Sequence, residues 1–161
     1  MAPWHFVELA SFGDVIAFYK YLAFDSNVEI SNEERARAKK IKRLLFPTKT
    51  LRNAAAHNDC LLNGMRRRLK KPIGFIRTTL IEEYCLPSGV VNPSWRVPVV
   101  HDLSALLICL DSAVVSEGVK LSRSSELAEL RERFGRNLEY YRAQPEILNC
   151  FNAFRTMFEA F

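Results

Sequence analysis

The sequence is short of several things that would place it quickly. It holds four cysteines, three histidines and six glycines in 161 residues. Cys60, Cys85, Cys109 and Cys150 lie too far apart for a C-x-x-C pair, so they suggest neither a zinc knuckle nor a disulfide framework. Four reduced, mostly buried thiols are expected instead. Long apolar runs are also missing: the longest, around LSALLICL, meets Asp111 well short of the roughly 18 residues a membrane span needs. The opening MAPWHFVELA has no basic stretch and puts Glu8 where a signal peptide would be apolar, so a cytoplasmic chain with no membrane partner is expected. No internal repeat or low-complexity segment stands out.

Acidic residues are scarce in one region. Residues 31–77 carry 14 Lys and Arg against 3 acids (+11), whereas the remainder carries 9 against 15 (−6), and together they give the net +5. The excess is concentrated in RARAKKIKR (35–43) and MRRRLKK (65–71). One charge run is usually only a solvated face. Two runs that bracket LRNAAAHNDCLLNG (51–64) point instead to a polyanion such as RNA, with Lys39, Lys40, Arg43, Lys49, Arg66, Arg67 and Arg68 as candidate phosphate contacts.

The pattern reads as all-α in one domain, 1–161, a size that suits a single core. Apolar spacing over 4–22, broken at Ser11 with Asp14 three residues on, predicts two short helices, the second with a capping box. Ile30, Ser31 and Glu34 predict a staple and box opening a basic helix that Pro47 stops near Phe46. Thr48 or Thr50 is expected to cap the motif helix and Gly64 to end it. A helix over 75–86 and a long loop, LPSGVVNPSWRVP, follow. Leu103, Leu106, Leu107 and Leu110 mark a buried stripe; Leu127, Leu130, Phe134, Leu138 and Tyr141 repeat it behind a Ser124/Ser125 cap. Pro145 suits the first turn of a last helix, whose Ile147, Phe151, Phe154, Phe158 and Phe161 must pack on the bundle or on a second subunit.

Within the motif, Asn53 and His57 are four apart and share a helix face, whereas Arg52 and His57 diverge by roughly 140°. Arg52 must therefore swing round or reach a site shared with another chain. Ala54, Ala55 and Ala56 leave room for another helix to approach, although alanine is also simply a good helix former. His5 reads as an end-of-helix residue, the His101–Asp102 pair as a helix start, and Trp4, Phe12 and Tyr19 as core.

Two segments resemble a known family. APWHFVELASFGDVIAFYKYL (2–22) is similar to the Trp…Glu…Ser-Phe-Gly…Tyr…Leu block of the bacterial Abi-like abortive-infection proteins, and LRNAAAHNDCLLNG to their Arg-Asn-x-x-x-His…Asn block, in the same order and at similar separation. The Arg-x-x-x-x-His spacing resembles that of the HEPN superfamily. The sequence departs at Asn58, where members usually carry a second histidine, and at Leu62, where they carry tryptophan. The family block that opens this chain usually sits mid-protein, so a separate N-terminal domain or an antitoxin is an expected partner.

The resemblance implies a HEPN-like helical bundle and a metal-independent RNA endonuclease without cofactor, a toxin in phage defence or a toxin–antitoxin pair. In such an enzyme the RNA's own 2′-hydroxyl attacks phosphorus. His57 would be base or acid, Arg52 would neutralise the phosphorane, and Asn53 would orient His57 or hold a phosphate oxygen. A homodimer would bring two motifs into one composite site. The alternative is a non-catalytic basic helical module that binds RNA or a partner protein.

Overall fold

The structure is a computed structural model describing residues 10–25 and 27–161, with residues 62 and 63 described by backbone alone. Trp4 and His5, and the first of the two short helices expected over 4–22, lie outside the described residues. Seven α-helices and no strand occur among the described residues, so the chain is an all-α bundle as its periodicity predicts.

Both capping boxes form. Ser11 Oγ accepts the Asp14 N–H at 3.2 Å while Asp14 accepts the Ser11 N–H at 2.9 Å, opening α1 (Phe12–Lys20). Ser31 and Glu34 repeat the exchange at 3.2 and 2.8 Å and open α2 (Asn32–Ala56). Hydrogen bonds from the Ser11 side chain and backbone hold the Asp14 carboxyl below its ordinary value, and those from the Ser31 backbone and side chain do the same for Glu34. A π-helical turn, Tyr21–Asp25, follows α1, and the Tyr19 hydroxyl donates to the Ala38 carbonyl on α2. Phe12 and Tyr19 are half-buried, and Tyr19 packs on the core.

The expected stop at Pro47 does not occur. α2 runs 25 residues straight through it, so Thr48 and Thr50 lie inside the helix and cap nothing. Thr48 is buried, and the Thr50 hydroxyl donates back to the Phe46 carbonyl at 3.1 Å. An interior proline costs about 3 kcal/mol through a lost hydrogen bond and a clash. Against that, α2 buries Ala38, Ile41, Leu44 and Pro47 itself along one stripe against the next long helix. Two large aliphatic side chains alone contribute about 3 to 6 kcal/mol, so packing wins.

The motif helix also ends earlier than Gly64. Asn58 takes a left-handed φ of 52°, its N–H bonds the Ala55 carbonyl at 3.2 Å, and the Asp59 N–H bonds the Ala54 carbonyl at 2.8 Å. These are the paired bonds of a Schellman motif, with asparagine in the position glycine usually fills. Gly64 instead ends a short 3₁₀ turn, Leu61–Gly64.

Helix α3 (Gly74–Glu82) is shorter than expected, and Cys85 behind it has φ 55°. The segment read as a long loop is mostly α4 (Ser88–Ser94), which leaves only short links before α5. α5 (Pro98–Ala113) buries Val99, Val100, His101, Ser104, Ala105, Leu107, Ile108 and Cys109, most of its circumference, and is the centre of the molecule. Of the four leucines predicted there, only Leu107 is fully buried. His101 and Asp102 do sit in the first turn of α5, but the histidine does more. Its Nε2 accepts the Ile73 N–H at 3.2 Å, so Nδ1 carries the proton given to Asp102 at 2.8 Å, and the pair pins the approach to α3.

Helix α6 (Glu117–Gly135) begins well before Ser124 and Ser125, which are therefore interior, and Leu138 and Tyr141 fall on a separate 3₁₀ turn. α7 (Pro145–Ala160) starts on its proline as expected. Its aromatic stripe packs on the bundle: Phe134 lies 5.2 Å from Phe151 and 5.4 Å from Phe154 between ring centroids, and Tyr84 stacks on Phe161 at 4.1 Å.

The thiols divide evenly. Cys109 and Cys150 are buried, whereas Cys60 and Cys85 are exposed, which corrects the expectation of mostly buried cysteines. Burial pushes the Cys109 thiol up, against a weaker pull from Thr48, and pushes Cys150 to about 11. Because the thiolate is the nucleophile, iodoacetamide at neutral pH should add to Cys60 and Cys85 in the native protein and to all four in denaturant. Native adducts on Cys150, read by mass spectrometry, would contradict this packing.

Candidate functional site

The last two turns of α2 carry the motif. Arg52 is exposed and donates from Nη1 to Asn53 Oδ1 at 3.2 Å. That bond leaves the Asn53 amide nitrogen as the end free to donate to another group. His57 is the C-cap, exposed, with φ −95° and ψ 7°, and its backbone N–H bonds the Asn53 carbonyl at 3.0 Å. Among the described residues its imidazole has no hydrogen-bond partner. The structure thus joins Arg52 to Asn53 and presents His57 beside them at the helix end, unencumbered. Asn53 holds the arginine, not the histidine.

Two hollows adjoin this end, and a third lies apart from it. A cleft of about 260 Å³ runs under the motif helix between Thr50, Ala54, Asp59, Cys60, Arg67 and Asp102. A wider apolar groove of about 720 Å³ lies along Leu51, Arg52 and Ala55, with Leu103, Leu106 and Leu130 across from them. Arg52 therefore stands where an apolar trough meets the polar motif. The third is a depression of about 460 Å³ lined by Arg68, Lys70, Asn92 and Arg96.

The predicted phosphate contacts do not form one patch. On α2, Lys39 and Arg43 are exposed, while Lys40 pairs with Glu83. Both Lys40 and Arg43 lean over the Phe75 ring, at 6.0 and 5.6 Å from its centroid. Lys49 is half-buried and acts on Asp14. The three consecutive arginines fan out: Arg66 binds the Gln144 side chain, Arg67 lines the cleft beneath the motif, and Arg68 lines the separate depression. There Arg96 joins it, held by the Leu69 and Lys70 carbonyls at 3.2 and 3.4 Å, with no carboxylate in the lining.

Two residues of interest escape a reading of the sequence. Arg96 sits in a segment that reads as loop, and only the fold carries it to Lys70. Phe46 is 76% exposed on α2; its seven-residue spacing from both Lys39 and Asn53 becomes meaningful once the helix is continuous through Pro47. No three His, Cys, Asp or Glu side chains gather as metal ligands do among the described residues. No described helix is long and apolar enough to cross a membrane.

Comparison with known proteins adds one finding. Residues 1–63, which contain both the Ser11 turn and the Arg52–His57 motif, match the family described as Abi-like protein. Over this segment the chain is similar to the Abi-like proteins. The Abi-like match stops at the end of the motif and covers none of α3 to α7. No curated protein and no solved structure matches the chain.

Proposed function

We propose that this Abi-like chain is an RNA endonuclease of the HEPN type, acting without a metal, with Arg52, Asn53 and His57 at its site. One observation carries the reading. The exposed, unpartnered imidazole of His57 lies at the end of the same helix that bears the basic run, with Arg52 fixed by Asn53 beside it. In the reaction His57 takes the proton of a ribose 2′-hydroxyl as its oxygen bonds to phosphorus. The P–O5′ bond breaks, and the departing oxygen needs a proton from a second acid. Arg52 balances the added charge of the phosphorane. The second acid is His57 of another copy, and the apolar trough beside Arg52 and Ala55 supports a homodimer that places two motifs across one axis. The products are a 2′,3′-cyclic phosphate and a 5′-hydroxyl. A role as a cytoplasmic toxin in phage defence or a toxin–antitoxin pair, held in check by an antitoxin or an N-terminal domain, follows from the Abi-like family.

The second reading is a basic module that binds RNA or a protein and cuts nothing. It is favoured by Asn58, which occupies the place of the usual second histidine and serves as the helix stop. Incubating the protein with total RNA, with and without chelator, separates the two. Chelator-resistant fragments ending in a cyclic phosphate are expected. Salt-sensitive binding with no new fragments would establish the module instead.

A further inference from the structure

Phe46 is the large apolar residue that the packing leaves most conspicuously without a use. It is 76% exposed, it is absent from the core and from its margin, and among the described residues its ring meets no other ring and no cation. Its position on α2 is informative. Lys39, Phe46 and Asn53 are seven residues apart in turn, so at about 100° per residue they lie within roughly 20° of one line, with about 10 Å between neighbours along the axis. One turn before Phe46 stand the exposed Lys42 and Arg43, resting over the Phe24 and Phe75 rings; one turn after it stands the half-buried Lys49, which faces Asp14. No acid occupies any of these positions. Equally exposed apolar residues elsewhere differ: Val115 and Leu121 have no aromatic face, and Tyr140 sits on a short 3₁₀ turn beside Glu139.

We infer that Phe46 is a stacking platform for an unpaired base of RNA lying along α2, midway between the cations and the Arg52–Asn53–His57 end. Every base has a π-face, so a planar ring between cations that follow the backbone gives sequence-tolerant grip on a single strand. The inference rests on the reading of α2 as an RNA-facing helix. It adds the residue that holds the strand in register with the imidazole about three turns further on.

The test uses the whole protein and a fluorescent, 2′-O-methylated oligoribonucleotide, which cannot attack its own phosphate. Anisotropy gives the affinity over a range of salt. Phe46→Ala and Phe46→Leu should each weaken binding about 5- to 150-fold, and Phe46→Tyr should restore it, because bulk alone does not stack. The slope of affinity against salt should not change, since no charge is removed. An abasic oligonucleotide of the same length should bind the wild type and Phe46→Ala alike. If Phe46→Leu binds like the wild type, or the abasic strand is equally weakened, stacking is overturned while RNA binding by α2 stands. If Phe46→Ala converts a dimer to a monomer in sedimentation and leaves RNA affinity intact, the ring belongs to a contact between copies. Absence of any RNA binding by the wild type would remove both this inference and the reading beneath it.

Discussion

Replacing His57 by alanine should lower RNA cleavage by about 10²- to 10⁴-fold, the range for a positioned acid–base group, while the melting curve stays where it is. The first half rests on the proposed endonuclease reading, the second on the geometry. The imidazole is exposed and makes no hydrogen bond among the described residues, so its removal deletes no folded contact. What His57 gives the fold is its backbone N–H to Asn53, and alanine keeps that bond. Exposed substitutions of this sort usually move stability by less than about 0.5 kcal/mol. Arg52→Ala should slow cleavage as well, but it also frees Asn53 Oδ1 from its partner, so it is the less clean variant. A His57→Ala protein that cuts at the wild-type rate would take the imidazole out of the chemistry.

The largest effect on stability should come from Phe154→Ala. Phe154 is 2% exposed and lies within 5.4 Å of Phe134, 6.3 Å of Phe158 and 6.4 Å of Phe151 between ring centroids. Truncating a buried phenylalanine costs about 3–5 kcal/mol, the sum of lost transfer energy and of the cavity left behind. Domains of this size unfold with about 5–15 kcal/mol, so much of the margin disappears. A fall in melting temperature of about 10 °C or more is expected, measured by calorimetry or circular dichroism. The ring also lines the apolar groove beside Arg52, and the void therefore opens onto an existing trough. A cost under about 1 kcal/mol would mean that α7 does not seat its aromatic stripe as described.

Much of this architecture was legible from local chemistry. Ser11 with Asp14 and Ser31 with Glu34 announced two helix starts because capping depends on side chains three residues apart and on little else. Pro145 and the phenylalanine spacing behind it identified α7 for the same reason. Features decided by distant contacts were harder to read. Pro47 is a helix breaker by its own rules, and only the burial of Ile41 and Leu44 against α5 outweighs it. At the end of the motif two residues tolerate a left-handed backbone, Asn58 and Gly64, and the sequence does not say which will be used; the structure uses the nearer. SGVVNPS looks like loop because its Gly, Pro and Ser have poor helix propensity, yet Val91 and Ser94 are buried and the packing imposes a helix.

The site divides along similar lines. Arg52, Asn53 and His57 stand out through the motif and its family resemblance, and they lie on the last turns of α2, with Arg52 bonded to Asn53 and His57 exposed at the cap. The arginines at 66–68 looked like one patch because they are adjacent in sequence, but irregular backbone sends each a different way.

Because α2 is unbroken, its cationic stretch and its terminal imidazole are parts of one lever with no loop between them to slacken. Arg37, near one end, clamps the last carbonyls of α5, and the stripe from Ala38 to Thr48 is gripped by the same central helix. For the proposed endonuclease, an inhibitor would therefore have two routes: to cover the tip, or to displace the entire lever against α5.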